Sequence, residues 1–331
     1  MFVTLFVSIV LVFLMALPGY VASKRHWISH GFDRDVAYIL TKVVYPCCMF
    51  AAIYQRYSLK LLCRDWYLPF LVFGMMLVGL AVGTLVASFL RFKGIQERKA
   101  FEFQTLMNNF AFLPLALLPT VVPGCSNEAA GLLLFAAIGG DTAVWTAGVL
   151  VASHERFHVR FLRHLLSAPL VAMYLALICR LLTDATGITH WYLAEQNGEA
   201  VLTTGQNLVR TIELLGKATI PLAMLQVGSR LAKISAGDLH NAKVWIATGL
   251  RLAVIPAVLL FILHWLPIDP LQKQVLAVVA VMPAATIGFT FSELFDMDKG
   301  LVSSTYLVTT LLAGLTVPLL LGWYLRSVPA T

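Results

Sequence analysis

Ten apolar runs, each close to the length that crosses a lipid bilayer, limit the possible folds of this chain more than any other feature. A helix rises about 1.5 Å per residue, so a span needs roughly 20 apolar residues. Of the 331 residues, 59% are hydrophobic and 12% are charged, whereas soluble domains carry about 25% charged residues. The sequence therefore predicts an all-α polytopic membrane protein with ten transmembrane helices. The runs are residues 3–23, 35–54, 66–91, 101–122, 130–153, 167–183, 207–231, 242–266, 271–295 and 300–325.

The signatures of enzyme active sites give no support for catalysis. No GxSxG, P-loop or GxGxxG pattern occurs in the chain, so no nucleophile or nucleotide-binding loop can be named. The five cysteines have neither metal-ligand nor disulfide spacing. We therefore expect no enzymatic activity, no metal site and no cofactor, apart from a coupling proton or sodium ion.

The basic residues orient the chain in the membrane. The formal net charge is +7, and much of the positive charge lies in the loops after the first, third, fifth and seventh runs. Cytoplasmic loops are enriched in Lys and Arg, which predicts a multi-pass protein of the plasma (inner) membrane, with both termini outside and no nucleic-acid partner. The loop QRYSLKLLCRD is a basic exception on the opposite side. The four basic segments are SKRHWISHGFDR, RFKGIQERK, HERFHVRFLRH and RLAKISAGDLHNAK.

The two halves of the chain can be laid over each other. A lysine precedes a proline by four residues both in the second run, TKVVYP, and in the seventh, GKATIP. Pro114 in the fourth run then corresponds to Pro283 in the ninth. Each half, residues 1–160 and residues 161–331, has five helices, and because five is odd the second half enters the membrane inverted. Inverted repeats with interrupted helices in matching places are characteristic of secondary transporters.

The fourth run contains an unusual polar stretch, QTLMNNFAFLPLALLP, with Asn108, Asn109 and Pro114. An interior proline removes a helical hydrogen bond, and in lipid the freed carbonyls need partners. Side-chain amides can supply those partners or bind a polar solute, because they both donate and accept. An ordinary proline kink is the alternative. If the breaks at Pro114 and Pro283 cross, the N-terminal ends of the half-helices favour an anion, and Thr286, on the face of Pro283, caps a carbonyl or contacts substrate.

Two segments resemble the auxin efflux carrier family, of the bile/arsenite/riboflavin transporter superfamily. They are NNFAFLPLALLP and VMPAATIGFTFSELFDMDKGLVSSTYLVTTLLAGLTVPLL. The resemblance implies two inverted five-helix repeats, as in bile-acid symporters, with broken helices 4 and 9 crossing. It implies a dimerising scaffold of helices 1, 2, 6 and 7 and a mobile transport domain of helices 3–5 and 8–10. It also implies efflux or exchange of an organic anion by an elevator-type movement.

The resemblance can be carried over to individual positions. The asparagine of the family's fourth helix falls on Asn109, its break prolines fall on Pro114 and Pro283, and Lys42 takes the place of a basic residue in helix 2. The Gly-rich surroundings of that asparagine are replaced here by NNFAF. An auxin-like weak acid is therefore less favoured than it is for plant members, and small carboxylates such as malate or malonate, carried by bacterial members, become at least equal candidates.

Charges within the apolar runs are candidates for binding or coupling, because a charge at the bilayer centre usually faces a partner or a cavity. Lys42 and Lys217 could balance a carboxylate or extend to the lipid headgroups. Asp141 could pair with Arg251, or take up a proton or a cation during the cycle. Gln104, together with the asparagines and Asp141, could supply part of a sodium site, as a bile-acid-type symporter would require.

Together these observations predict a secondary transporter for a small organic anion, acting as a homodimer in the lipid bilayer. One alternative is a sodium-coupled organic-anion symporter, and another is a non-transporting membrane sensor or scaffold. The candidate substrate-binding residues are Asn108, Asn109, Pro114, Pro283, Thr286, Lys42 and Lys217, and those for coupling or charge balance are Asp141, Arg251 and Gln104.

Overall fold

The structure is a computed structural model that describes most of the chain. The basic segment HERFHVRFLRH lies outside the described residues. The side chains of Asn127, Asp184, Thr186, Glu293 and residues 193–206 also lie outside what the structure describes. The described residues are 3, 6–7, 10–11, 14–29, 31–56, 63–153, 168–186, 193–196, 199–202, 204–233 and 239–327.

The described residues form helices joined by short connections, with one hairpin of two antiparallel strands, Leu193–Gln196 and Glu199–Leu202, in which Leu193 pairs with Leu202. From residue 32 onward the described helices lie within or close to the predicted apolar runs, whereas the first helix is described only from Leu17. In chain order they are α1 (Leu17–Lys24), α2 (Phe32–Ile39, Leu40–Val44 and Tyr45–Arg56), α3 (Leu68–Ala87), α4a (Ile95–Leu106), α4b (Phe112–Val121), α5 (Ser126–Ala143, Val144–Gly148 and Val149–Ser153), α6 (Ala168–Thr186), α7a (Thr204–Lys217), α7b (Thr219–Leu231), α8 (Ala242–Gly249, Leu250–Val254 and Ile255–Trp265), α9a (Pro270–Ala280), α9b (Ile287–Leu294) and α10 (Lys299–Tyr324).

Five helices within the described part of the chain are long and apolar enough to cross a membrane, so the protein is a helical membrane protein. The helices in α4, α7 and α9 are interrupted, and each piece alone is shorter than a bilayer span. The full set of ten spans therefore stays a prediction. The five helices are Phe32–Gln55, Cys63–Ala87, Glu128–Ser153, Ala242–Trp265 and Lys299–Tyr324.

Side-chain caps mark where three of the helices begin. Asn241 Oδ1 accepts from Lys243 N at the start of α8, and Asp298 Oδ1 accepts from Leu301 N at the start of α10. Asp269 precedes α9a, where it forms a capping box with Gln272. Caps of this kind satisfy backbone N–H groups that have no partner within the helix.

The helices pack in two groups. In the first, α2 packs on α6 and α7a, and α1 packs on α7b. In the second, α3 packs on α4a and α5, while α10 packs on α4a and α8. Glycines permit the closest approaches, since a Cβ atom at Gly139 of α5 would overlap the carbonyl oxygen of Pro69 in α3. The α2–α5 and α4b–α7b contacts join the two groups.

Three long helices contain a π-helical turn: Leu40–Val44 in α2, Val144–Gly148 in α5 and Leu250–Val254 in α8. Such turns are rare and occur frequently at functional sites. Lys42 and Arg251 lie within two of them, and Asp141 lies three residues before the third. The irregular turns thus coincide with charges that the sequence places at membrane depth.

Candidate functional site

Two of the interrupted helices, α4 and α9, meet at their breaks. Residues 107–111 separate α4a from α4b, and residues 281–286 separate α9a from α9b. The two unwound segments pair in antiparallel fashion: Asn109 N donates to Pro283 O at 2.9 Å, and Ala285 N donates to Met107 O at 3.1 Å. Each segment thereby satisfies backbone groups that the other has freed, which is what a break buried away from water requires.

The prolines occupy different places in the two breaks. Pro114 is the third residue of α4b, where a proline costs little because the N–H groups of a first turn have no intrahelical acceptor. Pro283 lies within the unwound segment, and its carbonyl accepts from Asn109. Pro114 therefore lies in the first turn of a half-helix, and Pro283 takes part in the pairing.

The side chains of Asn108 and Asn109 make different hydrogen bonds. Asn108 is 1% exposed, and its Nδ2 donates to Val279 O at 2.6 Å, near the C-terminal end of α9a. Asn109 is 7% exposed, and its Oδ1 accepts from Leu113 N at 3.3 Å, in the first turn of α4b. Asn108 thus ties α4 to α9, whereas the Nδ2 of Asn109 has no acceptor among the described residues.

Two further predicted residues lie beside the crossover. Gln104 is fully buried, and its Nε2 donates to Val302 O of α10 at 2.8 Å, while its Oε1 has no partner in the described part of the chain. Thr286 immediately precedes α9b; it is half-buried and makes no side-chain capping bond. Near it, Thr309 Oγ1 of α10 accepts from Ala284 N at 3.3 Å. Thr309 was not singled out from the sequence, because its role depends on how α10 packs.

The lysines lie apart from these residues. Lys217, at the end of α7a, has a side chain that is 65% exposed, and its Nζ pairs with Glu213 of the same helix at 3.1 Å. Lys42 is exposed on the surface of α2. The structure shows no contact between either lysine and the paired segments, in the ranges that it describes. Position along a helix placed both lysines at membrane depth, but it could not indicate which way they face.

Asp141 and Arg251 do not form the ion pair that was one of the two predicted possibilities. Asp141 is 8% exposed, and its Oδ2 accepts from Tyr45 OH of α2 at 3.4 Å. Arg251 is 1% exposed, and its Nη1 donates to Thr105 O at 3.0 Å. The other buried acids in the described ranges do have basic partners. These pairs are Asp65 with Arg64, Glu97 with Lys243, and Glu102 with Arg98.

Tyr45 connects α2 to the crossover as well as to α5. Its ring meets that of Phe112, the first residue of α4b, edge to face, with ring centroids 5.1 Å apart. The tyrosine follows the π-helical turn of α2 directly. The sequence offered one signal for it, since the tyrosine lies in the TKVVYP stretch that matches GKATIP in the second half.

A cavity of about 440 Å³ lies at the opposite end of α4a from the break, where α4a, α8 and α10 begin. Two of the carboxyl groups that line it are already engaged. Asp298 caps α10, and Glu97 accepts from Lys243 Nζ at 2.7 Å, Lys93 N at 2.7 Å and Asn241 Nδ2 at 3.0 Å. Burial alone would raise the pKa of Glu97, but these hydrogen bonds hold it below its ordinary value. We regard the cavity as a structural junction at the ends of the candidate membrane spans.

The chain contains one HExxH pattern, at residues 154–158, which the expectation of no metal site overlooked. On a helix this spacing can hold zinc. The segment lies outside the described residues. In the described residues, no group of three or more His, Cys, Asp or Glu residues could hold a metal ion.

Comparison with known proteins gives two findings. A family model described as "Membrane transport protein" matches residues 4–160 and matches a second time over residues 157–321. An uncharacterized transporter from Methanocaldococcus jannaschii is 30% identical over 122 residues, which are 36% of this chain and 38% of that protein. The match to this curated relative therefore spans less than two fifths of the relative's length.

Proposed function

Because this chain belongs to the membrane transport protein family, that of the auxin efflux carriers, we propose that it is a secondary transporter that exports or exchanges a small organic anion. The observation that carries the proposal is the antiparallel pairing of residues 107–111 with residues 281–286. Paired breaks of this kind bring half-helix ends together within the membrane, which is where secondary transporters hold their substrates.

The charge of the substrate is inferred from the half-helices. The N-terminal ends of α4b and α9b both lie at the crossover, and each carries a partial positive charge. Unpaired N–H groups at such ends bind anions. The unengaged Nδ2 of Asn109 adds a side-chain donor. A carboxylate would satisfy all of these donors, and for that reason small carboxylates and auxin-like weak acids are the substrates we propose.

We infer an elevator-type movement from the packing of the helices. The group that contains α1, α2, α6 and α7 would be the scaffold and would form the homodimer, and α3–α5 with α8–α10 would move as the transport domain. Residues 1–160 and 161–331 would be the two inverted five-helix repeats. The Tyr45 contacts with Phe112 and Asp141 lie where these two groups meet. The setting we propose is the plasma membrane, with both termini outside.

Counterflow in proteoliposomes tests the function. Labelled malate, malonate and an indole carboxylate would be offered to vesicles preloaded with the same compound, with and without sodium and at two pH values. We expect exchange of at least one carboxylate, and a loss of at least about tenfold in Asn109→Ala, because a donor to the charged substrate is removed.

Asn207→Ala is the matched control, because Asn207 is an exposed asparagine of α7a. Exchange that is equal in Asn109→Ala and Asn207→Ala would remove Asn109 from the site. Strict dependence on sodium would favour the symporter alternative, and a folded protein that exchanges none of the compounds would favour a sensor or scaffold.

A further inference from the structure

The C-terminal end of α4a carries a partial negative charge that needs a positive partner. The last carbonyls of a helix have no intrahelical donors and carry a partial negative charge. In secondary transporters, such half-helix ends and unwound carbonyls coordinate the coupling cations. What faces the carbonyls near Leu106, the last residue of α4a, therefore bears on whether the protein needs a cation from solution.

In this protein a guanidinium group faces that end. Arg251 Nη1 donates to Thr105 O at 3.0 Å, from the π-helical turn of α8. The side chain is 1% exposed, and its Nε and Nη2 are buried without a partner in the described ranges. No described acid forms an ion pair with it. Its positive charge is thus directed at the helix end and is not neutralised by a carboxylate.

The neighbouring helix leaves room for this contact. A Cβ atom at Gly79 of α3 would lie 2.5 Å from Thr105 O and 3.5 Å from Arg251 Nη1, so any larger residue would collide with the carbonyl that the arginine binds. Three helices, α3, α4a and α8, therefore build the position. A buried arginine held in this way differs from one that reaches the membrane surface with its charged group.

The C-terminal end of α9a has a neutral hydrogen-bond donor instead of a charged one. There Val279 O accepts from the neutral amide of Asn108 at 2.6 Å. One end of the crossover thus carries a full positive charge and the other end carries none. An anion held between the two half-helices would experience the charge of Arg251 from the α4 side, because charges interact strongly across the low dielectric of a protein interior.

We propose that Arg251 is a tethered cation, whose guanidinium holds the C-terminal end of α4a in place of a coupling metal cation and supplies the fixed positive charge of the anion site. The second part rests on the proposed function, and the first part does not. Sodium is then unnecessary at this position. Arg251 acts through the helix end and needs no contact with the substrate, so it is a positioning residue.

Chemical rescue of Arg251→Ala tests the proposal. The purified protein would be unfolded by heat in detergent, in choline chloride with and without millimolar methylguanidinium. We expect Arg251→Ala to lower the Tm by about 5 °C or more, and methylguanidinium to restore at least half of that loss. Arg98→Ala is the control, because Arg98 is 40% exposed and pairs with Glu102 on the same helix. Equal gains in the two variants would overturn the proposal.

Two further measurements keep the proposal testable if Arg251→Ala does not fold. Arg251→Lys keeps the charge and Arg251→Gln does not, so the lysine variant should have the higher Tm, and the reverse order would overturn the proposal. In the wild type, replacing choline by sodium should leave the Tm unchanged, whereas stabilisation by sodium would show that a cation is bound with Arg251 in place. None of these readouts needs transport, so failed counterflow together with successful rescue would count against the proposed function alone.

Discussion

Replacing Asn108 by alanine should cost stability, whereas replacing its neighbour Asn109 should chiefly cost transport. The two amides are adjacent in sequence, but their contacts differ. Asn108 Nδ2 makes a short bond of 2.6 Å to Val279 O, and Asn109 Oδ1 makes a long one of 3.3 Å to Leu113 N. The pair therefore allows the structural and functional parts of the crossover to be separated by two mutations of the same kind.

The magnitude follows from what each truncation leaves behind. A buried carbonyl that loses its donor costs about 1–3 kcal/mol. Two features place the cost of Asn108→Ala in the lower half of that range. Val279 O keeps a second donor, since it also accepts from Met282 N at 3.3 Å. The mutation also removes the buried Oδ1 of Asn108, which has no partner among the described residues. A loss of about 1–2 kcal/mol corresponds to roughly 1.5–3 °C in Tm for a chain of this length. Asn109→Ala, which loses one weak bond, should cost less than about 1 kcal/mol.

Thermal unfolding in detergent and counterflow at a temperature below both transitions would be measured on the same preparations. We expect the lower Tm in Asn108→Ala and the lower exchange rate in Asn109→Ala. Asn207→Ala should change neither quantity, because that residue is exposed on α7a. Equal losses of Tm in the two crossover variants would refute this division of tasks, as would an unchanged Tm in Asn108→Ala.

Three other predictions concern packing, pH and coupling. Gly139→Ala should lower the Tm by several degrees, because its Cβ atom would overlap Pro69 O and separate α3 from α5. Gly249→Ala is the control, because its Cβ atom would meet nothing within 4 Å and the Tm should not fall. Similar Tm values in the two variants would contradict this reasoning. Glu97 has a folded pKa below its ordinary value of 4.5, so its stabilisation is complete above that value and is lost as the pH falls through the folded pKa. The Tm difference between the wild type and Glu97→Gln should therefore shrink below about pH 4.5, and a difference that stays constant to lower pH would contradict the assignment. Asp141→Asn should keep the fold but remove any pH dependence of counterflow, since the buried carboxyl has only Tyr45 as a described hydrogen-bond partner; an unchanged pH profile would exclude Asp141 as the proton site.

The sequence predicted most of the helices and the breaks in α4 and α9, because these follow from local properties, but it did not predict the break in α7. Run length indicates a span. The asparagines and proline of the fourth run predicted the interruption at residues 107–111, and the matching proline of the ninth run predicted the one at residues 281–286. The resemblance to a known family also singled out Asn109, which lies at the crossover and whose role stays a prediction. The match of the family model over both halves of the chain confirms that resemblance.

Side-chain direction could not be predicted in the same way. A helix that is apolar all round gives no indication of which face is turned inward, so Lys217 and Arg251 looked equivalent as buried charges. In the structure Lys217 pairs with Glu213 at a surface, while Arg251 is 1% exposed and binds Thr105 O. The π-helical turns were also not predicted, because a single extra residue per turn leaves no mark in composition. Both properties depend on tertiary packing.

The pairing of the two breaks also has a consequence for synthesis, because the first break is made before its partner. Asn108 and Val279 are 171 residues apart in the chain, and at a synthesis rate of about 5–20 residues per second the second break appears roughly 10–30 s after the first. During that interval the backbone of residues 107–111 has no partner from residues 281–286. Unsatisfied peptide groups are not tolerated in lipid, so the first break must stay among water or insertion machinery until its counterpart arrives. The first half of this protein is therefore an assembly intermediate that only the second half can complete.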